Sequence, residues 1–514
     1  MPKHNPRKKT GKVYLVGAGP GNPGLITVKG LECLKQAEVI IYDRLIDDNL
    51  LDAAPADAER IYVGKGHGCH ARHQKEINLL LVTKAREGKT VTRLKGGDPF
   101  VLGRGGEEAE ILAQNGIPFE VVPGVSSAYA VPAYAGIPVT DRRLASSFMV
   151  LTGHEDADKT ESTIRWDKVS TGSDTLVILM GMGNLASIAT ELMSNGRPAT
   201  TPVAIISQGT SPLQRTIAGT LGDIADRARE EGITAPAVVV VGEVVKLREH
   251  LRWFDNLPLF GKRILVTRPE EQARGLNQLL RERGALPVEM PVIKIIPPST
   301  WKKLDRAIQE LKTYGWVVFT SVNAVEMFFR RLHSLRLDAR WLCNVKIGAI
   351  GPATAKSLEE HGVCPDYIPQ VYTSQGFVAG LDKKAIKGQR ILLPRADIAG
   401  NEMTDSLIKL GADVHQVAAY RTVAAEAESP GKEMLLKGQI HVVTFTSAST
   451  VNNLAAVLGK DWQVINKAKL ACIGPNTAVA LEQKGLKPDI VAVEHTVPGL
   501  VAAIERYYEA EVAR

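Results

Sequence analysis

Hydrophobic and polar positions follow one rhythm through most of the chain: a short apolar run, a glycine-rich turn, then a stretch with apolar residues three and four apart. Apolar runs at 12–16, 38–42, 146–153, 175–180, 202–207 and 237–241 predict strands, and 74–88 predicts a helix. Thr27 is placed to cap a helix that buries Val28, Leu31 and Leu34. Strand, turn and helix repeated in this way predict an α/β protein with ligand groups at the strand ends.

One stretch departs from packing material. Residues 91–108, VTRLKGGDPFVLGRGGEE, leave a β-type run through a double glycine and an Asp-Pro into a second glycine-rich turn. Five glycines within residues 96–106, with polar groups between them, predict a ligand-binding loop rather than an ordinary connection. Glu107 and Glu108 open the next helical run, where acids suit the positive helix end. Glycines after the first strand and Asp43 after the second mimic a dinucleotide fingerprint. Asn22 stands where its third glycine belongs, and Pro20 and Pro23 take N–H groups out of the loop, which counts against that reading.

From residue 262 the chain repeats itself. TRP at 267–269 returns as PRA at 394–396, FTS at 319–321 returns at 445–447, and IGPATA at 350–355 returns as IGPNTA at 473–478. One α/β unit used twice gives two similar lobes. The proline-marked stretch 291–298 and the stretch 417–423 close the same part of each copy and are candidates to cross between lobes, which would set Tyr420 on a hinge facing the cleft.

Length and composition narrow this little. At 514 residues, 44% hydrophobic and 23% charged, the chain is expected to form two to four globular domains. Of the net charge of +7, five positives come from Lys3, Arg7, Lys8, Lys9 and Lys12 with no acid among them, so the remainder stands at +2 and nucleic-acid binding is not indicated. That tail has no apolar run, so residues 1–11 are read as a disordered basic tail with neither signal nor membrane span. Five scattered cysteines without a CxxC pair fit a reducing cytoplasm. His67, Cys69, His70 and His73 share one loop, but their spacing matches no closed zinc site and no metal is expected.

The motifs VGAGPGNPGL, VIIYDRL, VGKGHG, RLKGGDPFVLGRGGEE, VPGVSSA, GIPVT and LMGMG, in this order, are similar to those of uroporphyrinogen-III C-methyltransferase over residues 12–251. That resemblance implies a dimeric two-lobed tetrapyrrole-methylase fold, with lobes near 12–143 and 144–251, holding S-adenosylmethionine in its cleft. It puts the cofactor against Pro20, Gly96, Gly97, Asp98, Val101, Ser126, Ser127, Met180 and Gly209. Asp43 and Lys65 match the family's proton acceptor and donor, with a structural ion pair as the competing reading. Arg104 and Glu107 are the alternative pair for carboxylate binding and proton removal. Asn22, Leu102, Asp141 and Leu179 depart from the family pattern and bear on fine substrate contacts.

After an expected linker at 252–261, the duplicated pattern resembles uroporphyrinogen-III synthase over 262–514, with one lobe from 262–297 plus 424–514 and the other from 298–423. There the resemblance implies that Tyr420 assists hydroxyl departure from hydroxymethylbilane, with Ser321, Thr354, Ser447 and Thr477 binding its acidic side chains. Helix capping is the competing reading for these four hydroxyls. Together the halves imply a cytoplasmic bifunctional enzyme that makes uroporphyrinogen III and methylates it at C2 and C7 to precorrin-2, for siroheme or cobalamin. A dinucleotide-dependent oxidoreductase, or a methyltransferase carrying a tetrapyrrole sensor without turnover, are the alternatives.

Overall fold

A computed structural model describes residues 10–64, 74–154, 164–382, 386–424 and 429–512. The chain divides into two compact units, one holding residues 1–262 with 280–286 and 508–514, the other 263–279 and 287–507.

The first unit carries two five-stranded sheets. Strands β1 (Val13–Gly17), β2 (Val39–Tyr42), β3 (Glu59–Tyr62), β4 (Val91–Lys95) and β5 (Phe119–Val122) form an all-parallel sheet in the order β3-β2-β4-β1-β5. Alternate residues feed two cores: Val13, Leu15, Val39, Ile41 and Val91 pack on one face, and Val16, Ile40 and Leu94 on the other. Both faces are therefore apolar, as a helix-covered parallel sheet requires.

The second sheet, β6 (Phe148–Thr152), β7 (Thr175–Leu179), β8 (Pro202–Ser207), β9 (Arg215–Thr220) and β10 (Ala237–Val241), runs β6-β7-β10-β8-β9 and is mixed, since β10 lies antiparallel to both β7 and β8. Residues 252–261, expected as a linker, belong to this first unit. Phe254 is buried there, its ring 4.8 Å from Tyr134, and Trp253 Nε1 donates to Ala133 O at 3.1 Å.

Thr27 does cap the helix Val28–Lys35, accepting from Gly30 N at 3.1 Å. The buried face is Gly30, Cys33 and Leu34, however, and Val28 is 78% exposed. A two-turn helix has few apolar positions, so its sequence leaves the facing direction open by about one residue's rotation.

The second unit also carries two sheets. One joins β11 (Arg263–Val266) and β12 (Leu286–Glu289) to β18 (Val442–Phe445), β19 (Lys469–Cys472) and β20 (Ile490–Val491). The other joins β13 (Ile293–Ile296), β14 (Trp316–Phe319) and β15 (Lys346–Ala349) to β16 (Arg390–Ala396) and β17 (Asp413–Ala424). Their orders are β12-β11-β18-β19-β20 and β13-β17-β16-β14-β15. Each lobe thus combines the opening strands of one copy with the closing strands of the other. The stretches 291–298 and 417–423 meet directly, β13 lying antiparallel to β17 with Ile296 opposite Arg421. No described helix is long and apolar enough to cross a membrane.

Candidate functional site

In the first unit, loops from both sheets enclose a cleft of about 890 Å³, within the range of small-molecule sites. One wall is Gly19, Pro20, Gly21, Gly96, Gly97 and Val101; the other is Leu179, Met180, Gln208, Gly209 and Ala237. Backbone packs on backbone there. Gly19 and Gly97 exchange two hydrogen bonds, at 3.2 and 2.7 Å, and a Cβ on Gly124 would lie 2.3 Å from Gly97 O. Gly97 itself has φ +67°, and a Cβ there would meet nothing closer than Ser127 N at 3.7 Å, so the glycine keeps cleft volume free. Among the described residues, six non-glycines have positive φ, and five of them (Leu102, Arg104, Met180, Gln208 and Thr210) sit on these loops. Backbone strain concentrated at one cleft points to function.

Seven of the nine expected cofactor residues line this space: Pro20, Gly96, Gly97, Val101, Ser127, Met180 and Gly209. The other two shape it. Asp98 accepts from Phe100 N at 2.7 Å and Gly124 N at 3.0 Å, pinning the loop, and buried Ser126 caps the helix Ser127–Tyr134 through Ala128 N. Asn22 ties the two lobes, its N–H donating to Thr210 Oγ1 and its Nδ2 to the Tyr134 hydroxyl, both at 3.1 Å. Arg44 and Asp47 also line the cleft. They lie one and four residues after Asp43 in the sequence, which was the available signal for them.

Asp43 lies at the end of β2, and its two carboxylate oxygens accept from Arg93 Nη2 at 2.8 and 3.0 Å. Lys65, its expected partner, lies outside the described residues, as do His67, Cys69, His70 and His73. What the sequence reading missed is beneath Asp43. Arg93 and Lys95, two apart on the central strand β4, share the face of Val91, under the helix Gly105–Gln114. Glu108 on that helix takes Arg93 Nε at 3.1 Å and Lys95 Nζ at 2.9 Å on one oxygen, and its other oxygen has no partner among the described residues. All three are buried, with 1%, 4% and 1% exposure for Arg93, Lys95 and Glu108. Burial, then the neighbouring Arg93 charge, lowers the Lys95 pKa. The sequence shows two basic residues in one strand, and it is the flanking of β4 by β1 and β2 that makes these charges require a counterion.

Arg104 and Glu107 pair with each other, both guanidinium contacts at 2.8 Å on the exposed helix start, and this hydrogen bonding lowers the Glu107 pKa. Neither residue lines the cleft.

In the second unit the expected residues sit on turns beyond strand ends. Ser321 and Ser447 cap the helices Val322–Ser334 and Ala448–Leu458, accepting from Ala324 N and Thr450 N. Thr354 and Thr477 are buried in the first turns of Pro352–Glu360 and Pro475–Glu482, whose caps are Gly351 and Gly474, so capping does not explain the threonines. Tyr420 is not displayed on an open hinge. It is 7% exposed, its ring belongs to the lobe core, and its hydroxyl meets Ser321 Oγ at 3.2 Å.

Two family models match the chain: Tetrapyrrole (Corrin/Porphyrin) Methylases over residues 12–225, and Uroporphyrinogen-III synthase HemD over residues 275–502. A porphyrin biosynthesis protein HemD of Ruminiclostridium josui is 40% identical over 492 residues, covering 96% of this chain and 97% of that protein. The uroporphyrinogen-III C-methyltransferase of Methanocaldococcus jannaschii is 57% identical over 239 residues, 46% of this chain and 98% of that one. A crystal structure of the Thermus thermophilus uroporphyrin-III C-methyl transferase complexed with S-adenyl homocysteine matches 46% of this chain and 94% of its own at 40% identity, with a TM-score of 0.40. The chain therefore belongs to the uroporphyrinogen-III C-methyltransferases, in the form fused to a HemD-type uroporphyrinogen-III synthase.

Proposed function

We propose that the chain is a bifunctional enzyme whose second unit closes hydroxymethylbilane to uroporphyrinogen III and whose first unit methylates that product at C2 and C7 to precorrin-2, for siroheme or cobalamin synthesis. The observation that carries this reading is the strained, glycine-walled cleft in a chain that joins both families. S-adenosylmethionine, when bound, supplies an electrophilic methyl group on a sulfonium. The residues present suit it: Gly96 and Gly97 leave room for a close backbone approach, and Val101, Leu179 and Met180 offer apolar surface.

Methyl transfer of this kind needs the acceptor carbon positioned and one proton removed per cycle. Asp43 is proposed as the proton acceptor. Arg93 fixes its carboxylate by two hydrogen bonds, and Glu108 balances the charge of Arg93 from behind. Lys65 is proposed as the donor, and Arg104 as a guanidinium that exchanges Glu107 for a substrate carboxylate. In the second unit, Tyr420 is proposed to donate its hydroxyl hydrogen bond to the departing hydroxyl of the bilane, with Ser321 orienting it and Thr354, Ser447 and Thr477 holding acidic side chains. Enclosure decides the product there, since the linear substrate closes without inversion when left free. The protein is proposed to act in the cytoplasm as a homodimer through the methyltransferase half.

Isothermal titration calorimetry on the full chain tests the cofactor assignment. Binding of S-adenosylhomocysteine with no heat from NAD(H) is expected; NAD(H) binding in its place would restore the oxidoreductase alternative.

A further inference from the structure

The duplication leaves one matched pair of residues without a role. Arg268 lies two residues beyond β11 and Arg395 is the penultimate residue of β16, five residues from the strand start in each copy. In each sheet that opening strand pairs in parallel with the FTS-bearing strand of the other copy, Val266 opposite Thr444 and Val317 opposite Leu392. With β12 on the far side of β11 and β19 beyond β18, the chain's direction of winding reverses between β11 and β18, and equivalently between β16 and β14. Such reversal points open a crevice beyond the carboxyl ends of parallel strands, where ligands of α/β proteins sit. Each arginine therefore stands at a crevice beside an FTS turn.

Among the described residues, neither arginine has a carboxylate within ion-pair distance. Arg268 Nη2 donates to Gln272 Oε1 at 3.3 Å, and Arg395 Nη1 donates to Gly400 O at 2.9 Å. Arg395 Nε is buried with no partner among the described residues. Burial lowers the pKa of both guanidiniums, with Tyr420 and Glu402 acting in the opposite direction on Arg395. Gln272, the partner of Arg268, also donates to Asn323 Oδ1 at 2.6 Å on the helix that follows the other lobe's FTS turn. The crevice ends of the two lobes thus meet through the residue that holds Arg268. Partly desolvated guanidiniums with no ion-paired carboxylate among the described residues, at equivalent places in two lobes, suit an anion that can accept two parallel hydrogen bonds.

We propose that Arg268 and Arg395 are paired carboxylate clamps, one in each lobe, that bind acidic side chains of the same tetrapyrrole. This rests on the synthase reading above. The pair fixes the substrate without touching the departing hydroxyl, so it acts on affinity more than on turnover.

The test is the steady-state rate of uroporphyrinogen III formation from hydroxymethylbilane by the full chain and its Arg268→Gln, Arg395→Gln, Arg268→Lys and Arg395→Lys variants. Methylation of supplied uroporphyrinogen III serves as the control for an intact first unit. Each Gln variant is expected to raise KM about tenfold with kcat within about threefold, the loss expected for one charged hydrogen-bonding partner. Each Lys variant, keeping charge without the fork, is expected to raise KM about threefold. Unchanged KM in both Gln variants of an active enzyme overturns the clamps and leaves the synthase reading standing. Wild-type protein that yields only the isomer I product overturns the reading itself. Should a Gln variant fail to fold, the matching Lys variant decides, with a raised KM supporting the clamp and an unchanged KM overturning it.

Discussion

Replacing Glu108 with Gln perturbs the buried cluster beneath Asp43 at its one shared anion. The variant keeps an oxygen to accept from Arg93 and Lys95 but removes the charge that both cations face. Arg93 retains Asp43, whereas Lys95 loses its only ion-pair partner among the described residues. Breaking a buried ion pair from one side costs about 3 kcal/mol. With a urea slope of about 3 kcal/mol/M, the first unit's midpoint should fall by about 1 M at pH 7.

The loss should also depend on pH. Burial and Arg93 hold the Lys95 pKa below its ordinary 10.5, so the folded chain sheds that proton before the unfolded chain does. A group of this kind destabilises the fold below its depressed pKa, and stability rises with pH from that value up to 10.5. Without the Glu108 charge the pKa of Lys95 falls further, so the variant is relieved at a lower pH than the wild type. Its deficit should therefore be smaller at pH 9.5 than at pH 7. Urea-dependent pulse proteolysis, with fragments identified by mass, reads the first unit separately from the second. A midpoint shift below about 0.3 M, or an equal shift at both pH values, would refute the claim that Glu108 is the counterion of a buried cation pair.

Four further outcomes are expected. Gly97→Leu should abolish S-adenosylhomocysteine binding and methylation while leaving ring closure intact; loss of both activities would contradict separate sites in the two units. Tyr420→Phe keeps the buried ring and removes the bond to Ser321, so it should cost about 1 kcal/mol of stability while lowering kcat for ring closure about a hundredfold; an unchanged kcat in a stopped assay removes Tyr420 from the chemistry. Arg104→Ala should raise KM for uroporphyrinogen III about tenfold with the thermal midpoint unchanged, since its ion pair with Glu107 is exposed. Burial pushes the Cys472 thiol up to about 12, so iodoacetamide at pH 8 should label exposed Cys343 and Cys364 but spare Cys472 in the folded protein, which peptide mass spectrometry would show.

The alternation of apolar runs and glycine turns was enough to place most strands of the first unit, though not β9, and the TRP, FTS and IGP repeats were enough to find the duplicated second unit. The ligand loop was legible as well, because glycine leaves a chemical signature where a backbone must stay clear. Buried charge was not. Glu108 reads along the sequence as one more acid favouring a helix start, and only the pairing of β4 between β1 and β2 shows that Arg93 and Lys95 must be neutralised from the helix above. Val28 went astray for a related reason, and the caps beside Thr354 and Thr477 are glycines. Spacing reports that a helix has an apolar side, whereas which residue faces inward or caps the end is set by what packs against it.

The central claim is that one polypeptide makes a tetrapyrrole and then methylates it. Supplying hydroxymethylbilane with and without S-adenosylmethionine, and separating the products by chromatography, tests it most directly. Uroporphyrinogen III alone is expected without the methyl donor, and precorrin-2 with it. Isomer I in both reactions, or uroporphyrinogen III left unmethylated when the donor is present, would contradict the account.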